Sequence, residues 1–220
     1  MNLPFTPEQF FLVFARYNES VWPMQVVLNA LALACIGLLF SSRAWASRAI
    51  CAALSLLWAW MAIAYHFAFF SDINPAAWTF GAVFLLGSLA FAWSGVVKTG
   101  VLLQPALAAR GIAGAALIVF ALAIYPVIGY SIGHRYPNTP TFGLPCPTTI
   151  FTLGLLLFSV HPVSRWIFVV PLLWTAVGSL APFQLGAVED LGLLVSGVVT
   201  IAVMLFAAAP VSGVRRRKNI

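Results

Sequence analysis

The sequence predicts an all-α membrane protein, a polytopic bundle of about seven transmembrane helices whose N-terminus is outside and whose C-terminus is cytoplasmic. Of its 220 residues, 62% are hydrophobic and only 7% are charged. Soluble domains carry roughly 25% charged residues, so this chain has too few to cover a water-facing surface. Apolar runs of spanning length and a one-sided distribution of basic residues complete the evidence for a bilayer protein.

A spanning helix needs about 20 mostly apolar residues, and short connectors separate seven stretches of this kind. The predicted spans are 21–41, 47–70, 76–97, 111–133, 144–160, 166–185 and 191–210. The sequence therefore divides into an outer helix at 1–20, a membrane domain at 21–210 and a basic cytoplasmic tail at 211–220. The first twenty residues lack the basic start and apolar core of a cleavable signal peptide.

Basic residues of short loops collect on the cytoplasmic side of a membrane, and this rule sets the predicted orientation. With seven spans and an outer N-terminus, nine of the eleven basic residues are cytoplasmic and all five acidic residues are outside. The two outer exceptions are Arg16 and Arg135. The basic run at 215–218 suits anionic lipid better than nucleic acid, so the bilayer is the expected partner. Losing one span would spoil this agreement, which favours the count of seven.

A helix start is predicted at Thr6, before the first span. Thr6 would be the N-cap, Pro7 the first helical residue and Gln9 the partner that completes a capping box. Residues 7–18 then form an amphipathic helix lying in the outer interface. The alternative is a hydrophobic lead-in to the first span.

The stretch from Tyr130 to Thr149 is irregular, with four prolines and two glycines. From Pro147 to Val160 the helical run is about 21 Å long at 1.5 Å per residue, against a hydrocarbon core of about 30 Å. The fifth span is therefore predicted to be broken at its outer end, where Phe142–Pro147 enters the membrane as non-helical backbone beside a cavity. The competing interpretation is a proline-rich outer loop that caps the bundle.

Polar side chains gather on the predicted outer side and are the candidate ligand-binding residues. They are His66, Asp72, Asn74, His134, Arg135, Cys146, Thr148 and Thr149. Two histidines and a cysteine suit a zinc or copper ion, although the spacing 66–134–146 matches no metal motif. Cys146 at a helix start could be a thiolate. The simpler interpretations are an interfacial His66 bonded to a carbonyl, and an Arg135 that contacts a headgroup or pairs with Asp72 or Glu189.

Three functions remain open from these residues. The first is a small transporter or binding protein that takes a metal ion or a small anionic solute through an outward-facing polar pocket. The second is a non-catalytic partner or sensor subunit, because the span interiors hold almost no charge; it would dock another membrane protein, or a second copy, at the outer face. The third and least favoured is an enzyme with Cys146 as nucleophile, activated by His134 or His66.

Three blocks of sequence carry a family resemblance. They are PFTPEQFFLVFARYNESVWP, YHFAFFSDINPAAWTFGAVF and HRYPNTPTFGLPCPTTIFTLGLLLFS, of which PTFGLPCPTTIFT is the most specific part. They resemble a family of bacterial multi-span membrane proteins defined as a domain of unknown function. The resemblance implies a multi-pass protein of the bacterial inner membrane. It implies no activity and no functional residue.

Overall fold

The chain folds into a bundle of helices. The computed structural model describes residues 3–160 and 166–206, and no β-strand occurs in these two ranges. The helices are α1 (Pro7–Ser20), α2 (Met24–Leu39), α3 (Ala46–Asp72), α4 (Ala77–Val97), α5 (Ala109–Ser131), α6 (Pro145–Leu156), α7 (Trp166–Leu185) and α8 (Val188–Phe206). The predicted basic tail at 211–220 lies outside the described residues.

Five of these helices, namely α3, α4, α5, α7 and α8, are long and apolar enough to cross a membrane. A sixth crossing is added if α1 and α2, which meet at an angle of 86°, count as one broken span. The prediction of an all-α protein with several helices of spanning length is therefore confirmed. The short helix α6 is apolar but is not among these helices, because it has only 12 residues.

The long helix α3 defines two ends of the bundle. Near its start, the Ser47 hydroxyl is 3.3 Å from the Leu103 carbonyl oxygen and accepts a hydrogen bond from the Leu103 N–H. Near its other end, Phe70 packs against Phe10 of α1. Since 27 residues of helix extend about 40 Å, these contacts lie at opposite ends of the bundle. We call them the α1 end and the opposite end.

Helix α6 is the core of the bundle. Eleven of its twelve residues are buried, and it packs against α5, α7 and α8. Its closest neighbour is α5, because glycines face each other there. A Cβ atom added at Gly154 would lie 2.9 Å from the Gly114 carbonyl oxygen. Two helices come this close only where small residues let the backbones touch.

The sequence predicted a fifth span at 144–160, and the structure corrects its C-terminal part. The helix begins at Pro145 and already ends at Leu156. Beyond it, the Val160 N–H donates to the Leu102 carbonyl oxygen at 2.9 Å and the Gln104 N–H donates to that of Phe158 at 3.1 Å. The helix stops there because the next residues pair with another segment of backbone at the opposite end. Twelve residues span about 18 Å, so α6 is short, as predicted. The prediction that Phe142–Pro147 is non-helical was wrong for its last three residues, because α6 already begins at Pro145.

Helix α1 is a separate helix that covers one end of the bundle. The predicted capping box is present: the Gln9 N–H donates to the Thr6 hydroxyl at 3.3 Å, and the Thr6 N–H donates to the Gln9 side chain at 2.9 Å. Its buried face carries Phe10, Phe14 and Tyr17. Because α1 turns sharply away from α2, this aromatic face lies across the bundle end.

Candidate functional site

A cavity of about 170 Å³ lies between α1 and the bundle that it covers. We call it the α1 cavity. Its walls are mainly aromatic and aliphatic. They come from α1 and the residues before it, from α3, α4, α5, α7 and α8, and from the loop before α6. They include Phe5, Phe10, Phe14, Tyr65, Phe70, Phe80, Leu144, Val177 and Leu185. Apolar walls with a few convergent polar groups are typical of small-molecule sites.

The polar groups of the cavity meet around Asp190. The Tyr125 hydroxyl donates a hydrogen bond to Asp190 Oδ1 at 2.6 Å, and the Asp190 residue is 2% exposed. The thiol of Cys146 lies close to both the Asp190 carboxyl group and the Trp174 indole. Within the described part of the chain, the Trp174 Nε1–H has no hydrogen-bond partner. The cavity therefore offers a bound molecule the carboxyl group of Asp190.

Local backbone features bring these polar groups together. Gly186 adopts a φ of +77°, which glycine accepts without strain, and it reverses the chain between α7 and α8. Asp190 consequently stands in the first turn of α8, where a helix N-terminus favours acidic groups. On the facing helix, a π-helical segment at Phe120–Ile124 directly precedes Tyr125. Such segments shift the helical register and are frequent at functional sites.

A second polar pair lies next to the cavity. His134 Nδ1 and Glu189 Oε1 are 2.9 Å apart, and the Glu189 side chain is fully buried. The ring of Phe11, on α1, lies 4.4 Å from the His134 ring. The pair therefore joins α8 to the segment that follows α5. Helix α1 packs against this pair through the ring of Phe11.

Asn18 fastens α1 to the irregular segment before α6. Its side-chain amide donates to the carbonyl oxygens of Pro137 and Thr139 at 2.7 and 2.8 Å. Its own oxygen accepts from the Thr141 hydroxyl at 2.7 Å. The prolines and glycines of this segment thus shape a loop that holds the covering helix by three hydrogen bonds from one side chain.

Of the predicted site residues, the structure places Cys146 and Asn74 in the α1 cavity. Asn74 also shapes its own loop, since its side-chain oxygen accepts from the Ala76 N–H. Thr148 instead supports the backbone: its hydroxyl accepts from the Gly143 N–H at 3.0 Å. The hydroxyl of Thr149 is buried, and no hydrogen-bond partner for it occurs in the described ranges. At the predicted helix start, Cys146 therefore lines the cavity, whereas Thr148 holds the backbone of the preceding loop.

Both charged residues of the predicted site bind partners at the α1 end, away from any shared ligand position. Asp72 forms an exposed ion pair with Arg16 at 3.0 Å. The Arg135 guanidinium lies 3.3 Å from the centre of the Tyr130 ring. The predicted alternative in which Arg135 pairs with Asp72 or Glu189 is not what the structure shows, because Arg16 and His134 bind those two acids.

The histidines and the cysteine predicted to bind a metal lie in three different environments. His66 is completely buried among aromatic rings, with Phe84 at 4.7 Å and Trp174 at 5.4 Å between ring centres. His134 pairs with Glu189. Cys146 has an acidic neighbour and an indole, not the cationic neighbour that activated cysteines share. Residues 3–160 and 166–206 contain no group of three or more His, Cys, Asp or Glu side chains that could hold a metal ion.

Tyr125, Trp174, Glu189 and Asp190 are the polar residues that sequence reasoning left out of the predicted site. One signal was available for the two acids. They are consecutive carboxyl groups directly before the apolar run of the last span, in a chain with only five acidic residues. Ionisable groups that are drawn into a membrane-spanning segment usually mark a functional position. Tyr125 and Trp174 carry no such signal, since aromatic residues are common throughout the chain.

Comparison with known proteins places these residues in a family. No curated protein and no solved structure matches the chain. A family model described as a family of unknown function matches residues 7–212, a range that includes α1 and most of the residues that line the cavity. The resemblance read from the sequence blocks is thereby confirmed, and the chain belongs to the family of unknown function DUF6064.

Proposed function

We propose that this chain is a seven-span membrane protein that binds a small, mostly apolar molecule in the α1 cavity, from the outer side of a bacterial inner membrane. The ligand carries one hydrogen-bond-donating or cationic group, which Asp190 binds. The observation that carries the proposal is the hydrogen-bonded Asp190 at the floor of a cavity whose walls are mainly aromatic and aliphatic.

The contacts of α6 support seven crossings. The chain enters α6 at the α1 end, beside Asn18 and its partner loop. It leaves at the opposite end, where Arg110 donates hydrogen bonds to the Leu157 carbonyl oxygen and the Ser159 hydroxyl. Residues 157–160 complete the distance that the helix does not cover. Two backbone hydrogen bonds pair them with the 102–104 segment, and backbone at membrane depth needs partners of this kind within the protein.

The charges support the orientation. Among the described residues, the α1 end carries all five acids: Glu8, Glu19, Asp72, Glu189 and Asp190. The opposite end carries four basic residues: Arg43, Arg48, Lys98 and Arg110. Basic loops stay in the cytoplasm, so the α1 end and its cavity face outward.

The chemistry of the cavity favours a different ligand class from the metal ion or small anionic solute predicted from the sequence. A small anion would have to approach Asp190 and the neighbouring Glu189, which are like charges. A metal ion would lack the cluster of ligands that it requires. An apolar body with an amine or hydroxyl group matches the aromatic walls, and its donor complements the carboxyl group at the floor.

The packing of the bundle between the cavity and the opposite end favours binding over transport, and the surroundings of Cys146 favour binding over catalysis. From Ile150 to Leu157 every residue of the central helix is buried, so packed side chains fill the bundle between the cavity and the opposite end. Movement of a solute would require α6 to shift against α5, where the backbones touch at Gly114 and Gly154. A nucleophilic role for Cys146 lacks an adjacent histidine, because His66 and His134 have other neighbours.

Three probes with the same phenylethyl body test the proposal: 2-phenylethylamine, 2-phenylethanol and 3-phenylpropanoate. In purified protein, we expect the amine and the alcohol to raise the unfolding temperature in a saturable way and the acid to have no such effect. Asp190→Asn should remove the difference between the responses to the amine and to the acid. Asp72→Asn is the matched control, because it changes an exposed acid at the same end, and it should leave that difference intact. Equal responses to the amine and the acid, or none to any probe, would contradict the proposal.

A further inference from the structure

A second concave surface lies on the outside of the bundle, between α5 and α8. It has a volume of about 600 Å³ and runs from Glu189 to Val199 along α8 and from Ala113 to Ile128 along α5. We call it the α5/α8 groove. Its walls are apolar except at Glu189. Several wall residues are solvent-accessible in the isolated chain, including Val195 at 55%. In a bilayer this groove opens toward the lipid.

The length of the groove corresponds to a lipid chain. From Ala113 to Ile128 the helix rises about 22 Å at 1.5 Å per residue. One leaflet contributes about half of the roughly 30 Å hydrocarbon core. A groove of this length, with Glu189 at the α1 end, therefore extends through the leaflet on that side. It places its one charged wall residue toward the headgroups.

Glu189 gives the groove a chemical preference. The residue is 1% exposed, and its Oε1 atom pairs with His134. Its Oε2 atom is buried and has no hydrogen-bond partner in the described part of the chain. A buried carboxylate oxygen without a partner is costly, so a donor from outside the chain would stabilise it. A negative oxygen at headgroup depth is complementary to an ammonium group.

We propose that the α5/α8 groove is a specific site for a phospholipid with a primary ammonium headgroup, phosphatidylethanolamine. One acyl chain lies in the groove, and the ammonium group donates a hydrogen bond to Glu189 Oε2. Phosphatidylcholine has the same phosphate and acyl chains, but its quaternary ammonium has no N–H to donate. Phosphatidylglycerol lacks the positive charge. This site is separate from the α1 cavity, so either proposal can fail without the other.

The test is native mass spectrometry of the purified full chain in detergent with each of the three lipids, all with identical acyl chains. We expect phosphatidylethanolamine to bind roughly tenfold more tightly than the other two, the effect of one hydrogen bond to a charged group. Glu189→Gln should abolish that preference and leave residual binding through the acyl chain. Equal binding of all three lipids to the unaltered chain would overturn the proposal.

A second variant keeps the test decisive if Glu189→Gln fails to fold. Ala116 is an exposed wall residue of the groove, so Ala116→Phe fills the groove without touching the core. It should abolish the preferential binding of phosphatidylethanolamine. Ala115→Phe, at the neighbouring exposed position outside the groove, is the matched control and should keep that binding. If Ala116→Phe leaves lipid binding unchanged, or alters the oligomeric state instead, the groove is not a lipid site.

Discussion

Glu189 and Asp190 are consecutive residues, but Glu189 lines the α5/α8 groove and Asp190 lines the α1 cavity. Glu189 pairs with His134 and lines the α5/α8 groove. Asp190 accepts from Tyr125 and lines the α1 cavity. They lie in a 3₁₀ turn, in which successive side chains are about 120° apart. One turn at the start of α8 therefore supplies the acidic group of both proposed sites, and substitutions can separate their roles.

Tyr125→Phe tests the hydrogen bond at the cavity floor. The change leaves Asp190 in place but removes the donor to its Oδ1 atom. We expect the free energy of unfolding to fall by about 1–3 kcal/mol, the usual cost of losing a buried hydrogen bond to a charged group. The response to 2-phenylethylamine should persist, because the carboxyl group that binds the amine remains.

Unfolding in detergent with increasing denaturant measures this loss. Tyr130→Phe is the matched control, since Tyr130 is 63% exposed and its hydroxyl is not needed for the cation–π contact with Arg135. Its stability should be unchanged. A Tyr125→Phe protein as stable as the original would show that the bond to Asp190 contributes nothing.

Gly154→Ala tests the close packing of α5 on α6. The added methyl group would lie 2.9 Å from the Gly114 carbonyl oxygen and 2.9 Å from Ile118 Cγ1, so one of the helices must move. Overpacking of this kind costs about 1–3 kcal/mol. Gly37→Ala, in α2, is the control because nothing lies within 4 Å of its added methyl group. We expect a lower unfolding temperature for the first variant only, and equal effects would contradict the packing argument.

The sequence was sufficient to predict an all-α protein with several helices of spanning length, and a short helix after the proline-rich segment. Pro145 and Pro147 stand in the first turn of α6, where their missing N–H groups cost nothing, and they mark the helix start. The end of that helix was not predictable, because its cause is a pairing between residues 157–160 and 102–104, more than fifty positions away. Local patterns carry no information on such contacts.

The site was less predictable for the same reason. The sequence placed Cys146 and His66 on one side of the membrane, but the neighbours of each depend on the lateral order of the helices. Cys146 meets Asp190, which follows it by 44 positions, and His66 meets Trp174. Periodicity shows which face of a helix is apolar and not which helix covers that face. The sequence therefore indicates candidate residues for the site but not which of them contact one another.

Asn18→Ala tests whether α1 covers the cavity. The change removes three hydrogen bonds to the loop at 137–141, so α1 should lift from the bundle more often. Cys146 lines the cavity, whereas Cys35 and Cys51 are each 0% exposed. We therefore expect N-ethylmaleimide to modify Cys146 faster in the variant, while the other two thiols stay protected.

Peptide mass spectrometry after timed labelling separates the three cysteines. Ser20→Ala is the control, because Ser20 is an exposed residue at the end of the same helix. It should label at the original rate. If Asn18→Ala also labels Cys146 at the original rate, the loop contacts do not control access to the cavity.

Orientation and crossing number are tested with single exposed cysteines, in a chain that carries Cys146→Ser. Glu8→Cys and Asn138→Cys are placed at the α1 end, and Arg43→Cys and Lys98→Cys at the opposite end. In intact cells, a membrane-impermeant maleimide should label the first two. The last two should react only after the cells are opened, because basic loops remain in the cytoplasm.

Glu8 and Asn138 are the informative pair for the first four crossings, because α2, α3, α4 and α5 lie between them in the seven-span arrangement. An even number of crossings returns the chain to the side from which it started. If one of the two were labelled in intact cells and the other were not, a helix between them would fail to cross. If all four sites reacted with the opposite pattern, the crossings would stand but the orientation would be inverted, and the α1 cavity would open toward the cytoplasm.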